Sequence, residues 1–433
     1  MARTSKAMLE VQAYPAASGF DDGAPKVAVV CHSHPSLTKG GAEVAAYALF
    51  CGLREIGVDA IFIGACAHAD RNRLAFGHDN EFAIYYDRER YDYFYHLAAP
   101  SVEDQLVQII RDQRVKVVNF HHFMTLGLNS LRAVQALPGV RCFYTIHEFL
   151  AICHNHGQMV TRETQLLCLQ ATNEACTDCF PEYMRTQFTM RKQTMLEVLG
   201  RFDGFISPSR FVADRLVKWG LPAERMTVIE NGLLGSSPLQ RKPKADSIWT
   251  FGYFGQINPY KGVDVILEVI ELIAADSELA ATMRLRIHGN FVGQPQAFVD
   301  RFHTTLQSVS FATYAGPYNS GSVYRLMSEC DYVLIPSKWW ENSPVVIQEA
   351  YSVRTPVICT GIGGLAEKVR EGISGLHFSR GDAPDLLRAM KIAADIKVAE
   401  SLRLGIPAVV SAAAMGRNYV GFFSGLHALD QGR

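Results

Sequence analysis

The sequence predicts an α/β protein of two doubly wound halves, each a parallel sheet flanked by helices, and three observations predict it. Short apolar runs of strand length recur along the chain, separated by stretches with helical period or polar turns. The rhythm breaks once, at the polar stretch GSSPLQRKPKADS (235–247), and then begins again. The 433 residues, 48% hydrophobic and 20% charged, suffice for two domains with large cores.

The first strand is read in KVAVVCHSH (26–34), an apolar run of the kind buried on both faces of a sheet. A glycine loop leads into LTKGGAEVAAYALFCGLREIG (37–57). There Val44, Tyr47, Ala48, Leu53 and Ile56 follow a helical period and Gly57 is placed to stop the helix. VDAIFIGA, VKVVNFHH (115–122), VRCFYTIHE (140–148) and DGFISPS (203–209) are further strands. Past the break come WTFGYFGQ, LRIHGN, DYVLIPS and PVICTG. Between the first two of these lies GVDVILEVIELIAA, whose Val263, Ile266, Leu267, Ile270 and Leu272 are read as one apolar face. The expected organisation is a tail over 1–25 and a first Rossmann-like domain over 26–235, with a cysteine-rich insertion at about 150–182. A second such domain follows over 236–410, and a final helix over 411–433 crosses back to the first. In open α/β sheets ligands bind beyond the carboxyl ends of the strands, so the cleft between the halves is the expected site.

A formal net charge of −1 lacks the basic excess with which nucleic-acid binders collect phosphates, which argues against a nucleic-acid partner. No apolar run approaches the ~18–20 residues that cross a bilayer, and the first residues lack the apolar stretch of a secretion signal. Cys31, Cys51, Cys66, Cys142, Cys330 and Cys359 sit in apolar contexts and read as buried thiols of a reducing, cytoplasmic compartment.

The block PSKWWENSPVVIQEAYSVRTPVICTGIGGLAEKVREGISG (336–375) carries the most chemistry. Glu341 and Glu349 stand eight residues apart, and Asn342, Ser343 and Pro344 precede a helical stretch in which Pro344 suits the first position. The unpaired N–H groups and the dipole of such a helix end attract a pyrophosphate. Glu349, just over a turn on, suits a ribose diol. An ordinary amphipathic helix with two solvated glutamates is the bland alternative. In YFGQINPYKG (253–262), Gly255 and Gln256 close a strand and Lys261 precedes a helix, where an ammonium group stabilises the charge that grows on a leaving diphosphate.

These features together, DYVLIPS, the glutamate pair, TPVICT and the glycine pair in order, with YFGQINPYKG upstream, resemble the signature of family 4 retaining glycosyltransferases. The resemblance implies the GT-B fold, two Rossmann-like domains with parallel sheets facing across a cleft. It also implies roles: Glu341 beside the transferred sugar, Glu349 on the nucleotide ribose, and the backbone from Asn342 through Val345 on the donor sugar and phosphates. Gln256 departs from the family's frequent arginine, so one of two cationic phosphate contacts is replaced by an amide donor. Gly40 and Gly41 resemble the family's acceptor-side glycine loop near the donor phosphates, and His147, followed by Glu148, matches its histidine on the donor sugar; the pair His121 and His122 is a lower-ranked candidate for the cleft.

Cys153, Cys168, Cys176 and Cys179 form a separate signal: four thiolates are enough for a tetrahedral structural zinc, with His154 and His156 as substitutes, while a set of reduced thiols fits equally. The segment 185–202 places Arg185, Arg191, Lys192 and Arg201 among Phe188, Met195, Leu196, Leu199 and Phe202. It reads either as a helix with its apolar side in the core or as a peripheral anchor on the inner face of a membrane. No Asp-x-Asp pair is present, so catalysis is expected to need no cofactor. The implied reaction is retaining transfer from a UDP- or GDP-linked sugar to a glycan or lipid-linked acceptor, in cell-surface polysaccharide synthesis. A sugar-nucleotide epimerase or hydrolase on the same scaffold, or a non-catalytic sugar-nucleotide-binding partner, remain as alternatives.

Overall fold

The computed structural model describes residues 25–430 apart from 39, 236–246 and 320, so nearly all of the expected tail and of the polar break lies outside the described residues. Among the described residues thirteen strands form two sheets. The first contains β1 (Val27–Cys31), β2 (Ala60–Ala67), β3 (Glu81–Tyr86), β4 (Val117–Phe120), β5 (Arg141–Thr145), β6 (Gly204–Ser207) and β7 (Met226–Val228), in the order 3-2-1-4-5-6-7. The second contains β8 (Trp249–Phe254), β9 (Met283–His288), β10 (Ala312–Gly316), β11 (Tyr332–Ile335), β12 (Val357–Thr360) and β13 (Gly375–Phe378), in the order 10-9-8-11-12-13. All neighbouring strands run parallel. Each sheet reverses its winding once, between β1 and β4 and between β8 and β11, and ligand crevices open at such switch points. The expected fold of two Rossmann-like domains is the one found.

The strands read as unbroken apolar runs because helices cover both faces: all five residues of β1 and all eight of β2 are buried. The same logic corrects one helical face. Helix Val263–Ala274 buries Val263, Val265, Ile266, Leu267, Val269, Ile270 and Ile273, whereas Leu272 is 38% exposed. Position 273, three residues after 270, completes the inward stripe, and 272 falls outside it. Of the six cysteines expected in cores, Cys51 is only half-buried and the other five are buried.

The last helix, Ala412–Asp430, lies against the first sheet, with Met415, Tyr419, Phe422 and Phe423 sharing a core with Val29, Leu49, Phe62 and Phe143. Its approach depends on glycine, since a Cβ on Gly52 would stand 2.0 Å from the carbonyl oxygen of Ala412. Among the described residues no helix is long and apolar enough to cross a membrane. Helix Arg185–Leu199 turns Phe188, Met195 and Leu199 inward and buries Arg191 with them. That guanidinium donates to the carbonyls of Phe94, Ala151 and Leu150. Arg185 pairs with Glu174, Arg201 with Glu197, and Lys192 Nζ lies 5.9 Å from the centre of the Trp219 ring, so all four cations read as a membrane-facing set have partners within the protein.

Candidate active site

The loop after β8 places Lys261. Asn258 Oδ1 accepts from the backbone N–H of Lys261 at 2.8 Å, and Gly262 follows at φ +76°, a left-handed conformation suited to glycine. A Cβ on Gly262 would lie 1.8 Å from the Pro336 carbonyl oxygen. That close approach presses the β8 loop against the loop after β11, and Lys261 Nζ meets Glu341 Oε1 at 2.6 Å. The same oxygen accepts from Ser337 Oγ and from Trp339 Nε1, each at 2.7 Å. Burial by itself raises the Glu341 carboxyl, but the charge of Lys261 and the bonds from Lys261, Trp339 and Ser337 outweigh it and hold the group below its ordinary value. Lys261 Nζ also stands 5.0 Å from the centre of the Trp339 ring, whose plane stacks on Tyr260 at 5.6 Å. The sequence offered no sign that Trp339, Ser337 and Asn258 would orient this pair.

The next residues join the two domains. Asn342 Nδ2 donates to the Ile146 carbonyl at 3.0 Å and Asn342 Oδ1 accepts from Ser209 Oγ at 2.6 Å. Ser343 Oγ donates to Glu230 at 2.6 Å. The side chains of Asn342 and Ser343 therefore hold the first domain, and only the backbone of this turn, the part expected on the donor, is left for a ligand. Gly364 is required behind them, because a Cβ there would lie 1.7 Å from the Asn342 carbonyl. Helix Val345–Ser352 then begins without a side-chain cap. Pro344 is its N-cap and not its first residue, because its ψ of 127° is still extended. Glu349 lies on this helix with no hydrogen bond to its carboxylate among the described residues, and burial raises it from 4.5 to about 7. Tyr318 and Tyr324 feel its charge. The carboxylate is thus half-buried and has no partner among the described residues.

Gly255 and Gln256 end β8 as expected, and the Gln256 side chain is exposed while its carbonyl accepts from the Tyr253 hydroxyl. Across the cleft, Gly40 caps helix Gly41–Glu55 without a side-chain bond. The first turn of that helix holds the buried Glu43, which accepts from Thr38 Oγ1 at 2.6 Å. A phosphate at this glycine loop would have to approach that carboxylate.

His147 follows the Ile146 carbonyl that Asn342 holds, so it adjoins the Glu341 loop. Its Nε2 contacts His121 Nδ1 at 2.8 Å, and His121 Nε2 contacts Asn119 Nδ2 at 2.9 Å. An amide N–H can only donate, so His121 accepts at Nε2 and carries its proton on Nδ1. His147 then accepts at Nε2 and presents an Nδ1 proton. Burial, then His32, lowers His147 to about 3, which keeps the ring neutral. The sequence marked His147, but not the relay of Asn119, Thr145 and Tyr419 that orients it.

The cysteines stand apart from this chemistry. Cys153, Cys168, Cys176 and Cys179 are all free. Burial, then Cys153, Cys168 and Cys179, pushes the Cys176 thiol up to about 12. Among the described residues no group of three or more His, Cys, Asp or Glu side chains is placed to hold a metal ion. The insertion does bridge the domains: the Cys168 carbonyl accepts from Trp340 Nε1 at 3.3 Å, and the Gln165 carbonyl from Arg380 at 2.8 Å.

The sequence matches two family models, Glycosyltransferase Family 4 over residues 39–233 and Glycosyl transferases group 1 over residues 249–395. Over 149 residues it is 30% identical to a D-inositol 3-phosphate glycosyltransferase of Stackebrandtia nassauensis, a match covering 34% of this chain and 33% of that protein. The corresponding protein of Rhodococcus jostii is 29% identical over 196 residues, 42% of each chain. These matches thus span under half of either relative. Among solved structures, the sucrose-phosphate synthase of Thermosynechococcus elongatus superposes with a TM-score of 0.71 at 17% identity, covering 94% of this chain and 100% of that one. Anabaena HepE in complex with UDP-glucose superposes at 0.65 with 16% identity, over 93% and 100%. With both halves matched and the two-sheet architecture shared, the chain belongs to the family 4-type glycosyltransferases of GT-B fold.

Proposed function

We propose that the chain is a retaining, metal-independent glycosyltransferase that moves a sugar from a nucleotide diphosphate sugar to a glycan or lipid-linked acceptor. We place it on the cytoplasmic side of cell-surface polysaccharide synthesis. The observation that carries the reading is the group at the β8/β11 switch point: Lys261 on Glu341, the uncapped helix start at Val345 and the unpartnered Glu349. That Anabaena HepE is solved with UDP and with UDP-glucose supports a nucleotide-sugar donor.

In this reading the diphosphate lies against the first N–H groups of helix Val345–Ser352 and draws Lys261 from Glu341. The ribose diol donates to Glu349. Glu341 and the Nδ1 proton of His147 address the transferred sugar. As the glycosidic bond lengthens, negative charge collects on the diphosphate, where Lys261 and the helix end stabilise it. The acceptor hydroxyl attacks from the face the diphosphate leaves, and the departing phosphate takes its proton.

The test is thermal unfolding against UDP, GDP and their sugars, followed by transfer assays with the donor that stabilises the protein and NMR of the product's anomeric configuration. Inversion at the anomeric carbon refutes retention. Absence of stabilisation by any nucleotide refutes the donor site.

A further inference from the structure

Beside the donor group, the carboxyl edge of the first sheet gathers His147 with further side chains that the donor does not use. His32 follows β1, His122 follows β4, and His147 and Glu148 follow β5. Glu43 reaches the same place from the first turn of helix Gly41–Glu55, its Oε1 3.5 Å from His32 Nε2. The rings of His32 and His122 lie 4.3 Å apart. His122 Nδ1 accepts from the backbone N–H of Met124 at 3.0 Å, so its proton is on Nε2, which points at Glu148 Oε1 3.3 Å away.

The charge state of this group is distinctive. Burial lowers His32, His122 and His147, so all three imidazoles are neutral at pH 7. Burial raises the Glu148 carboxyl to about 8, against the N–H of Leu150 and the charge of Arg191, so at pH 7 it is mostly an uncharged acid. Arg191 cannot serve a ligand's anion, being 3% exposed with its guanidinium held by three carbonyls. Among the described residues, no lysine or arginine hydrogen-bonds or stacks within the group. Glu148 keeps 27% of its side chain exposed, and the Asn342 bond to Ile146 sets this edge next to the Glu341 loop.

We propose that this edge is an acceptor subsite for uncharged sugar hydroxyls and excludes a reacting sugar that carries a phosphate. The inference rests on the glycosyltransferase reading and names its acceptor class. A hydroxyl both donates and accepts, so it matches neutral imidazole, carboxylic acid and carboxylate at once. Among the described residues this place offers a phosphate dianion no available cation and sets the Glu43 carboxylate nearby, so its transfer from water is strongly opposed.

The experiment is thermal unfolding of the full chain with methyl α-D-glucopyranoside or D-glucose 6-phosphate, each read with and without saturating UDP. The shift produced by UDP alone tests the donor site, so failure there is separate from failure here. The glycoside is expected to raise the midpoint by roughly 1–3 °C when well above its Kd, and the phosphate ester is not. Glu148→Gln and His122→Asn should at least halve the glycoside shift and keep the UDP shift. Equal or greater stabilisation by the phosphate ester, or none by the glycoside, overturns the proposal. Lys39, next to the glycine loop in sequence, lies outside the described residues. A phosphate-ester shift that Lys39→Ala removes would overturn the proposal and identify the cation responsible.

Discussion

Replacing Glu349 by glutamine should stabilise the empty protein and weaken donor binding in the same stroke. The folded carboxyl titrates near 7 against an ordinary 4.5, because burial penalises its ionised form and no donor offsets that. The unfolded chain releases this proton first, so between pH 4.5 and 7 the folded state binds more protons and stability falls as pH rises. At ~1.36 kcal/mol per unit the full difference slightly exceeds ~3 kcal/mol, and partial solvent access reduces it to about 1–3 kcal/mol. Glu349→Gln removes this penalty: its unfolding midpoint should exceed wild type above pH 7, and the gap should shrink as pH falls towards 4.5. Losing a carboxylate that accepts two ribose hydroxyls should weaken UDP binding roughly 10- to 100-fold. Thermal unfolding from pH 5 to 9 and UDP titration calorimetry check both halves. A midpoint difference that does not change with pH, or UDP affinity within threefold of wild type, would refute the assignment.

Three other substitutions test the remaining framework. Lys261→Ala should lower kcat by about 10²–10³, the usual effect of deleting one preorganised charge-stabilising group, with the fold intact by circular dichroism; wild-type turnover would sink its role. Gly262→Ala places a Cβ against the Pro336 carbonyl at positive φ. It should cost more than about 1 kcal/mol and reduce kcat by displacing Lys261, whereas an unchanged denaturation midpoint would show that the loop relaxes freely. Arg191→Met leaves three buried carbonyls without a donor and should destabilise the protein by about 3–5 kcal/mol in chemical denaturation; a loss under 1 kcal/mol would mean those carbonyls find other partners.

Sequence alone determined the two-fold α/β rhythm, because strands covered on both faces must be apolar without interruption and a polar break between two such series has few other meanings. It also located Lys261, Glu341 and Glu349, whose residue types and spacing carry the family's resemblance. Helix faces were less secure: Leu272 was read inward because apolar neighbours in a helix buried on several sides blur the stripe.

Tertiary structure decided how the groups act on one another. Residues 261 and 341 are 80 apart in the chain, and only the β8/β11 adjacency, with a glycine thin enough to let Pro336 approach, turns them into an ion pair. Asn342 and Ser343 lay in the right block, yet their side chains bind the first domain, which no local pattern encodes. The neutral histidine edge depends on burial and on contacts among four separate segments. Local sequence specifies which backbone conformations are cheap and which faces are apolar; charge state and partnership depend on the water excluded when distant segments pack, and those emerge only in the folded chain.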